Sequence, residues 1–210
     1  MKLLLASGNQ KKLRELVGCL ATHGLEDVEV VTPADVGGLP EVVEDRDTFL
    51  GNAEKKALSG ARASGLWTLA DDSGLAVDAL DGAPGVWSAR YAGEPSDDGA
   101  NNAKLLEELQ DVDAAHRGAG FVCVLVLASP GPDAEPVAHF RGEVRGRILD
   151  EPRGAGGFGY DPLFQLDEDV PGRGRSFAEL AAEEKAAISH RGRALAALAA
   201  ALPTIRASRS

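Results

Sequence analysis

The sequence predicts one central β-sheet flanked by helices, in an α/β or α+β arrangement. Three observations carry that reading. Short apolar runs alternate with segments of helical periodicity along the whole chain. The longest apolar run, "AGFVCVLVLAS", is followed by the turn-rich "PGPDAEP" and then by "PVAHFRGEVRGRIL", the pattern of a strand pair joined by a hairpin loop. No internal repeat and no long linker interrupts the 210 residues, so a single domain spanning 1–210 is expected.

The elements follow in order. "KLLLAS" reads as a buried first strand and "GNQKK" as its exit loop. "KKLRELVGCLATHG" carries Leu13, Leu16, Val17 and Leu20 at helical spacing, with Gly24 as a stop. "VEVVTP" reads as a short second strand. "TFLGNAEKKALSGARASG" is alanine-rich and helical, with Thr48 as its cap. "WTLADDS" and "LAVDAL" read as strands or strand fragments, followed by the turn "DGAPG". "SDDGANNAKLLEELQ" suggests a capped helix. "PRGAGGFGYDPLF" is a glycine-rich loop. Ser176 and Glu179 form a capping-box pattern that should open a helix, and "ALAALAAAL" is helical.

Composition excludes several function classes. The net charge is −11, so a general nucleic-acid binder, which needs a basic surface, is not expected. A small anionic ligand remains compatible, because local cations or a divalent metal override net charge. Cys19 and Cys123 lie far apart without metal-ligand spacing and read as reduced thiols of a cytoplasmic protein, Cys123 as core filler. The apolar run Leu3–Ala6 is too short for a signal-peptide core, and no run is long enough to span a membrane.

Four polar clusters fall at predicted element boundaries, where loops carry function. The first is Ser7, Gly8, Asn9, Gln10, Lys11 and Lys12, between strand and helix. Backbone amides at a helix start bind anions, although lysines there are equally at home in solvent, and no Walker A pattern is present. The second is acidic: Glu41, Glu44, Asp45 and Asp47, a metal-binding segment or merely the acidic first turn of a helix. The third is Asp71, Asp72 and Ser73, at what reads as the end of a strand. Adjacent carboxylates repel, so the choice lies between a solvated turn and a cation or proton-transfer site. The fourth joins "GGFGYDP" to "EEKAAISHRG": Phe158 and Tyr160 could stack a base, or simply pack. In one unbroken helix Lys185 and His190 would lie roughly 140° apart around the axis. A break near Ser189, a natural cap, would let Lys185, His190 and Arg191 converge.

Together these segments resemble the Ham1/RdgB family of inosine/xanthosine triphosphate pyrophosphatases. The pieces are "SGNQKKLREL", "TFLGNAEKKA", "LADDSGLAVDALDGAPGVWSARYAG", "GGFGYDPLF" and "AELAAEEKAAISHRGRAL", in family order and spread over nearly the whole chain. The resemblance implies an α/β fold with an elongated, mixed central sheet flanked by helices, in two lobes with the active site in the cleft between them. It implies a Mg²⁺-dependent hydrolase that splits ITP, dITP and XTP between the α and β phosphates and so cleanses the nucleotide pool, usually as a homodimer. Residue by residue, it implies Asp72 as catalytic base and metal ligand, and Glu44 as second metal carboxylate, with Asp45 the alternative. Ser7, Gly8, Asn9, Gln10, Lys11 and Lys12 match the triphosphate loop and Ser73 a substrate contact. Phe158, Gly159, Tyr160, Asp161, Lys185, His190 and Arg191 match the nucleotide pocket.

The chain departs from the family pattern in places. Asp45-Arg46-Asp47 stands where a threonine-glycine pair is common, Ser7 where threonine is usual, and Gly51 where glutamate is common. On the family reading, Mg²⁺ and an attacking water explain why Asp71 and Asp72 stand side by side. Donors from His190, Arg191 or the backbone near Gly159 would favour a 6-keto base over adenine. The competing functions are a catalytically silent nucleotide-binding module and a pyrophosphatase for other bases.

Overall fold

The computed structural model describes residues 1–167, 169 and 171–208. Among these, six strands form one mixed sheet: β1 (Lys2–Leu5), β2 (Glu29–Val31), β3 (Trp67–Val77), β4 (Gly118–Ala128), β5 (Pro136–Ile148) and β6 (Phe164–Leu166), in the order β2-β1-β3-β4-β5-β6. β1 runs parallel to both β2 and β3, and β6 runs antiparallel to β5. Among the described residues five α-helices accompany it: α1 (Gln10–Thr22), α2 (Phe49–Ser64), α3 (Asp98–Glu108), α4 (Ala182–Ile188) and α5 (His190–Ala207). No described helix is long and apolar enough to cross a membrane.

The chain divides into two compact units. One comprises Met1–Asp72, Cys123–Gly142 and Arg191–Ser210; the other comprises Ser73–Val122 and Glu143–His190. In the first, Leu3, Leu5 and Leu69 from β1 and β3 meet Leu16 and Leu20 of α1 and Leu195, Leu198 and Leu202 of α5. Cys123 fills part of that core as a free, buried thiol, as expected. In the second, Phe121, Phe164 and Phe177 pack ring to ring, with centroids 4.7–5.6 Å apart, beside Leu105, Leu109 and Val144. β4 is buried along almost its whole length, which is why it reads as a continuous apolar run and not as an alternation.

Local signals set most boundaries. Asn9 caps α1, Thr48 caps α2 through the Gly51 N–H, and Asp97 caps α3 through the Ala100 N–H. Ser189 is extended (φ −65°, ψ 157°) between α4 and α5, so of the two readings, one unbroken helix or a break near Ser189, the structure has the break. Two expectations change. The two strand fragments around Asp71 and Asp72 are one eleven-residue strand, so the carboxylates lie mid-strand and not at its end. The Ser176–Glu179 pattern opens only a short 3₁₀ turn over Phe177–Glu179: Glu179 takes the Ser176 N–H, but the Ser176 hydroxyl donates to the Arg153 carbonyl.

Candidate active site

β3 continues where its neighbour stops. The last β1–β3 partners are Leu5 and Leu69, and the Ala6 N–H still donates to the Leu69 carbonyl at 2.8 Å. Asp71 and Asp72 therefore extend past the end of β1. Successive strand residues point to opposite faces, so the adjacent carboxylates diverge instead of competing for one spot. Their partners confirm it.

Asp71, 5% exposed, accepts from Lys12 Nζ at 2.9 Å and from Arg191 at 3.2 Å. Arg191 in turn lies 3.5 Å from Glu15. Lys12 and Glu15 are three residues apart on α1, hence on one helix face. Two cations and two anions thus close a neutral network that ties the first turns of α1 and α5 to β3. Burial alone would raise the Asp71 carboxyl, but Lys12 and Arg191 outweigh it and hold it at about 2. The chain's own cations neutralise Asp71; it needs no metal to offset its neighbour, contrary to the expectation from adjacency. Arg191, matched by resemblance to the nucleotide pocket, has these two carboxylates as its partners here.

Asp72, 8% exposed, faces α2. Lys56 Nζ lies 3.1 Å from Asp72 Oδ1 and 3.0 Å from Glu44 Oε2, so one ammonium bridges two carboxylates. Asn52 Nδ2 approaches Asp72 Oδ2 at 3.4 Å. Burial pushes the Asp72 carboxyl up to about 6; Lys56 opposes the shift and Glu44 reinforces it. Burial also works against the Lys56 charge, but Asp72 and Glu44 outweigh it and its pKa is raised. Between Glu44 and Asp45 the structure discriminates. Glu44 shares Lys56 with Asp72, whereas Asp45 is exposed and pairs with Lys55 at 2.8 Å. Two carboxylates around one cation carry a net negative charge, and oxygen donors of this kind suit a hard divalent ion. No group of three or more His, Cys, Asp or Glu side chains gathers in metal-binding fashion among the described residues.

The Ser7–Lys12 loop is partly closed on itself. Asn9 Oδ1 accepts from the Lys11 and Lys12 amides at 2.9 and 3.3 Å, and the Asn9 amide donates to Ser7 Oγ at 3.2 Å. The amides expected to receive an anion are thus held by the loop's own cap. Gly8 and Gln10 complete the turn into α1, and nothing lies within 4 Å of where a Gly8 side chain would stand.

In the second unit the glycine-rich loop is organised around Asp161, 2% exposed. Asp161 accepts the Phe158 N–H at 2.7 Å and pairs with Lys185, whose ammonium lies 4.9 Å from the Phe158 ring centre. Gly157 has a positive φ of 77°, and a side chain there would overlap the Asp161 carboxylate. Gly159 is held from both ends: its N–H donates to Asp98 at 2.7 Å and its carbonyl accepts from Asn102 at 2.9 Å. That N–H is therefore engaged and does not present itself to a base. Of the two aromatics, Tyr160 is buried in the core with its hydroxyl on the Ser88 carbonyl at 2.9 Å, while Phe158 is 50% exposed. Phe158 is the more exposed of the two rings. His190 opens α5 and stacks on Phe121 at 5.0 Å and 12°. Ser73 follows Asp72 in β3 and is half-buried.

A model of the Ham1 family matches residues 3–201. The chain belongs to the Ham1 family. It is 52% identical over 204 residues to a dITP/XTP pyrophosphatase of Corynebacterium efficiens, covering 96% of this chain and 97% of that one. It is 52% identical over 197 residues to a dITP/XTP pyrophosphatase of Geobacter sulfurreducens, covering 94% of each. Among solved structures, a Ham1 protein from Coxiella burnetii superposes with a TM-score of 0.87 at 40% identity, covering 97% of this chain and 99% of that one. A nucleoside-triphosphatase (dITP/XTP pyrophosphatase) from Mycobacterium abscessus gives 0.77 at 47% identity, covering 94% and 97%.

Reading this Ham1 chain by motif missed Lys56, Asn52 and Glu15 in the first unit, and Asp98 and Asn102 in the second. A signal existed for the first two. Asn52 and Lys56 are four apart on a helix whose buried face is otherwise small, with Ala53, Ala57, Gly60 and Ala61. Two polar side chains along such a face call for buried partners. Asp98 and Asn102 repeat the i, i+4 pattern on α3, but nothing local shows that their target is the peptide of Gly159.

Proposed function

We propose that this Ham1 protein is a nucleoside-triphosphate pyrophosphatase acting on non-standard purine nucleotides, dITP, ITP and XTP, to give the nucleoside monophosphate and pyrophosphate. One observation carries the proposal: Asp72 is a buried carboxylate with a raised pKa, held beside Glu44 and Lys56, on a strand that outruns its neighbour. Perturbed groups of this kind mark reacting sites. The names of the relatives support the substrate class.

In this reading Asp72 accepts the proton of a water that attacks the α-phosphorus. The bond from that phosphorus to the bridging oxygen breaks, and pyrophosphate leaves with the electron pair. Asp72 and Glu44 would hold Mg²⁺, which supplies Lewis-acid stabilisation of phosphate oxygens when bound. Lys56 keeps the two carboxylates together and compensates part of their charge. The Ser7 hydroxyl and the Lys11 and Lys12 side chains meet the phosphates, since Asn9 already holds two of the loop amides. Asp71 fixes Lys12 in place. The half-exposed Phe158 ring stacks the base, and His190 and Lys185 supply donors suited to a 6-keto group. We further propose, on the family resemblance, a cytoplasmic location and a homodimer; sedimentation measures the second directly.

Pyrophosphate release with Mg²⁺ from dITP, XTP, GTP and ATP tests the reading. Release from dITP and XTP, lost in Asp72→Asn, is expected. Equal release from all four would remove the base selectivity, and no release from any would remove the hydrolase.

A further inference from the structure

Asn52 is 1% exposed, and its carboxamide has an unusual set of partners. Oδ1 accepts the Arg46 N–H at 3.0 Å, Nδ2 donates to the Arg46 carbonyl at 3.2 Å, and Nδ2 also approaches Asp72 Oδ2 at 3.4 Å. An amide side chain that takes both polar groups of one peptide residue does what a neighbouring strand would do. The segment it grips, residues 41–46, contains no helix or strand of its own.

That segment has a register that can slip. Lys56 takes Glu44 and its neighbour Lys55 takes Asp45, adjacent residues of α2 on adjacent residues of the segment. The lysines alone would hold either carboxylate. A shift of one residue would bring Asp45 to the ammonium that touches Asp72 and move Glu44 away. The segment's backbone is held at two points: Lys55 Nζ donates to the Val43 carbonyl at 2.8 Å, and Asn52 takes both polar groups of Arg46.

Gly51 completes the device. A β-carbon at Gly51 would meet Arg46 Cβ at 2.9 Å and Arg46 Cγ at 3.1 Å. Arg46 crosses α2 at this point, and only a bare backbone lets it do so. Cβ moves with the main chain, so a side chain at position 51 cannot be accommodated by an arginine rotamer alone; the segment itself has to move. It has room to, because a cavity of about 810 Å³ lies alongside, lined by Arg46, Gly51, Lys55 and Arg62 among others. Two departures from the family pattern, arginine at 46 and glycine at 51, are thus two halves of one contact.

We propose that Asn52 is a positioning residue that sets the register of the Glu44 segment against Asp72, and that Gly51 is required because Arg46 packs across it. The proposal rests on Asp72 and Glu44 as the reacting pair.

The test joins amide exchange to steady-state kinetics. In Asn52→Leu, which keeps the size and removes all three contacts, the Arg46 amide is expected to exchange about tenfold faster or more while Leu69 in β3 is unchanged. kcat for dITP should fall about 10–100-fold with KM within about threefold, since a misplacement near 1 Å costs rate on that order. Gly51→Ala, in the first turn of α2, should show the same pattern more weakly, and Arg46→Gly/Gly51→Ala should return kcat to within about threefold of wild type. A double mutant as slow as Gly51→Ala, or an Arg46 amide unchanged in Asn52→Leu, overturns the proposal. If the wild type releases no pyrophosphate, the hydrolase reading fails, and the exchange measurement still decides whether Asn52 holds the segment. Should Asn52→Leu fail to fold, the Gly51 and Arg46 pair decides alone.

Discussion

Asp71 and Asp72 are consecutive, similarly buried and chemically identical, yet they occupy opposite electrostatic environments. Asp71 has two cations directly upon it and is held at about 2; Asp72 shares one cation with Glu44 and is pushed up to about 6. The strand's alternation creates the difference by sending one side chain toward α1 and α5 and the other toward α2. A carboxylate that is fully neutralised by its own protein is a fixed anion, useful as an anchor. One that is not retains affinity for a proton or another cation. The same dipeptide therefore supplies a structural tie and a reactive group.

The largest expected effect lies on the reactive side. Asp72→Asn should lower kcat for dITP about 10³-fold or more, on the scale of losing a proton acceptor and a metal ligand, with the fold retained by circular dichroism. Wild-type-like turnover would assign the chemistry elsewhere. On the anchoring side, Asp71→Asn leaves Lys12 and Arg191 facing a neutral amide in a buried place. A loss of about 3 kcal/mol in urea unfolding is expected, and a mutant of unchanged stability would break the contrast between the two carboxylates.

Next in size is metal affinity. Glu44→Gln should weaken Mn²⁺ binding, followed by electron paramagnetic resonance, by about 10–100-fold. pH separates the two sides further. The Asp71 contribution to stability is present above the unfolded carboxyl value near 4 and is lost as pH falls toward about 2. Asp72 acts with the opposite sign: the folded state holds its proton more tightly, so stability declines as pH rises from about 4 through about 6. In metal-free protein, Asp72→Asn should thus be more stable than wild type at pH 8 and equal to it at pH 4, by chemical denaturation at both. The smallest effect is the control. Asp45→Asn, at an exposed position, should leave kcat within about twofold of wild type. Mn²⁺ binding weakened in Asp45→Asn as much as in Glu44→Gln would reverse the register.

Much of the fold was legible because its determinants are local. The cap at Thr48, the apolar run of β4 and the extended Ser189 between two helices all report on a few neighbouring residues. The strand through Asp71 and Asp72 was harder to read, because two carboxylates look like an exit from the core unless their buried partners are known. Those partners are Lys12, Lys56 and Arg191, up to 120 residues distant. The 3₁₀ turn after Ser176 shows the same limit: its hydroxyl was claimed by Arg153, 23 residues away.

By itself, then, the sequence determined most of the elements, the family resemblance and the short segments matched to it, since periodicity, capping and motif spacing are properties of contiguous residues. Only the tertiary structure decided which acid two cations neutralise and which shares one with a second carboxylate, that this second carboxylate is Glu44 and not Asp45, and that Tyr160 is core while Phe158 is half-exposed. Each of those depends on what distant segments place within a few ångströms of a buried group, where Coulomb and desolvation terms are large and local pattern is silent.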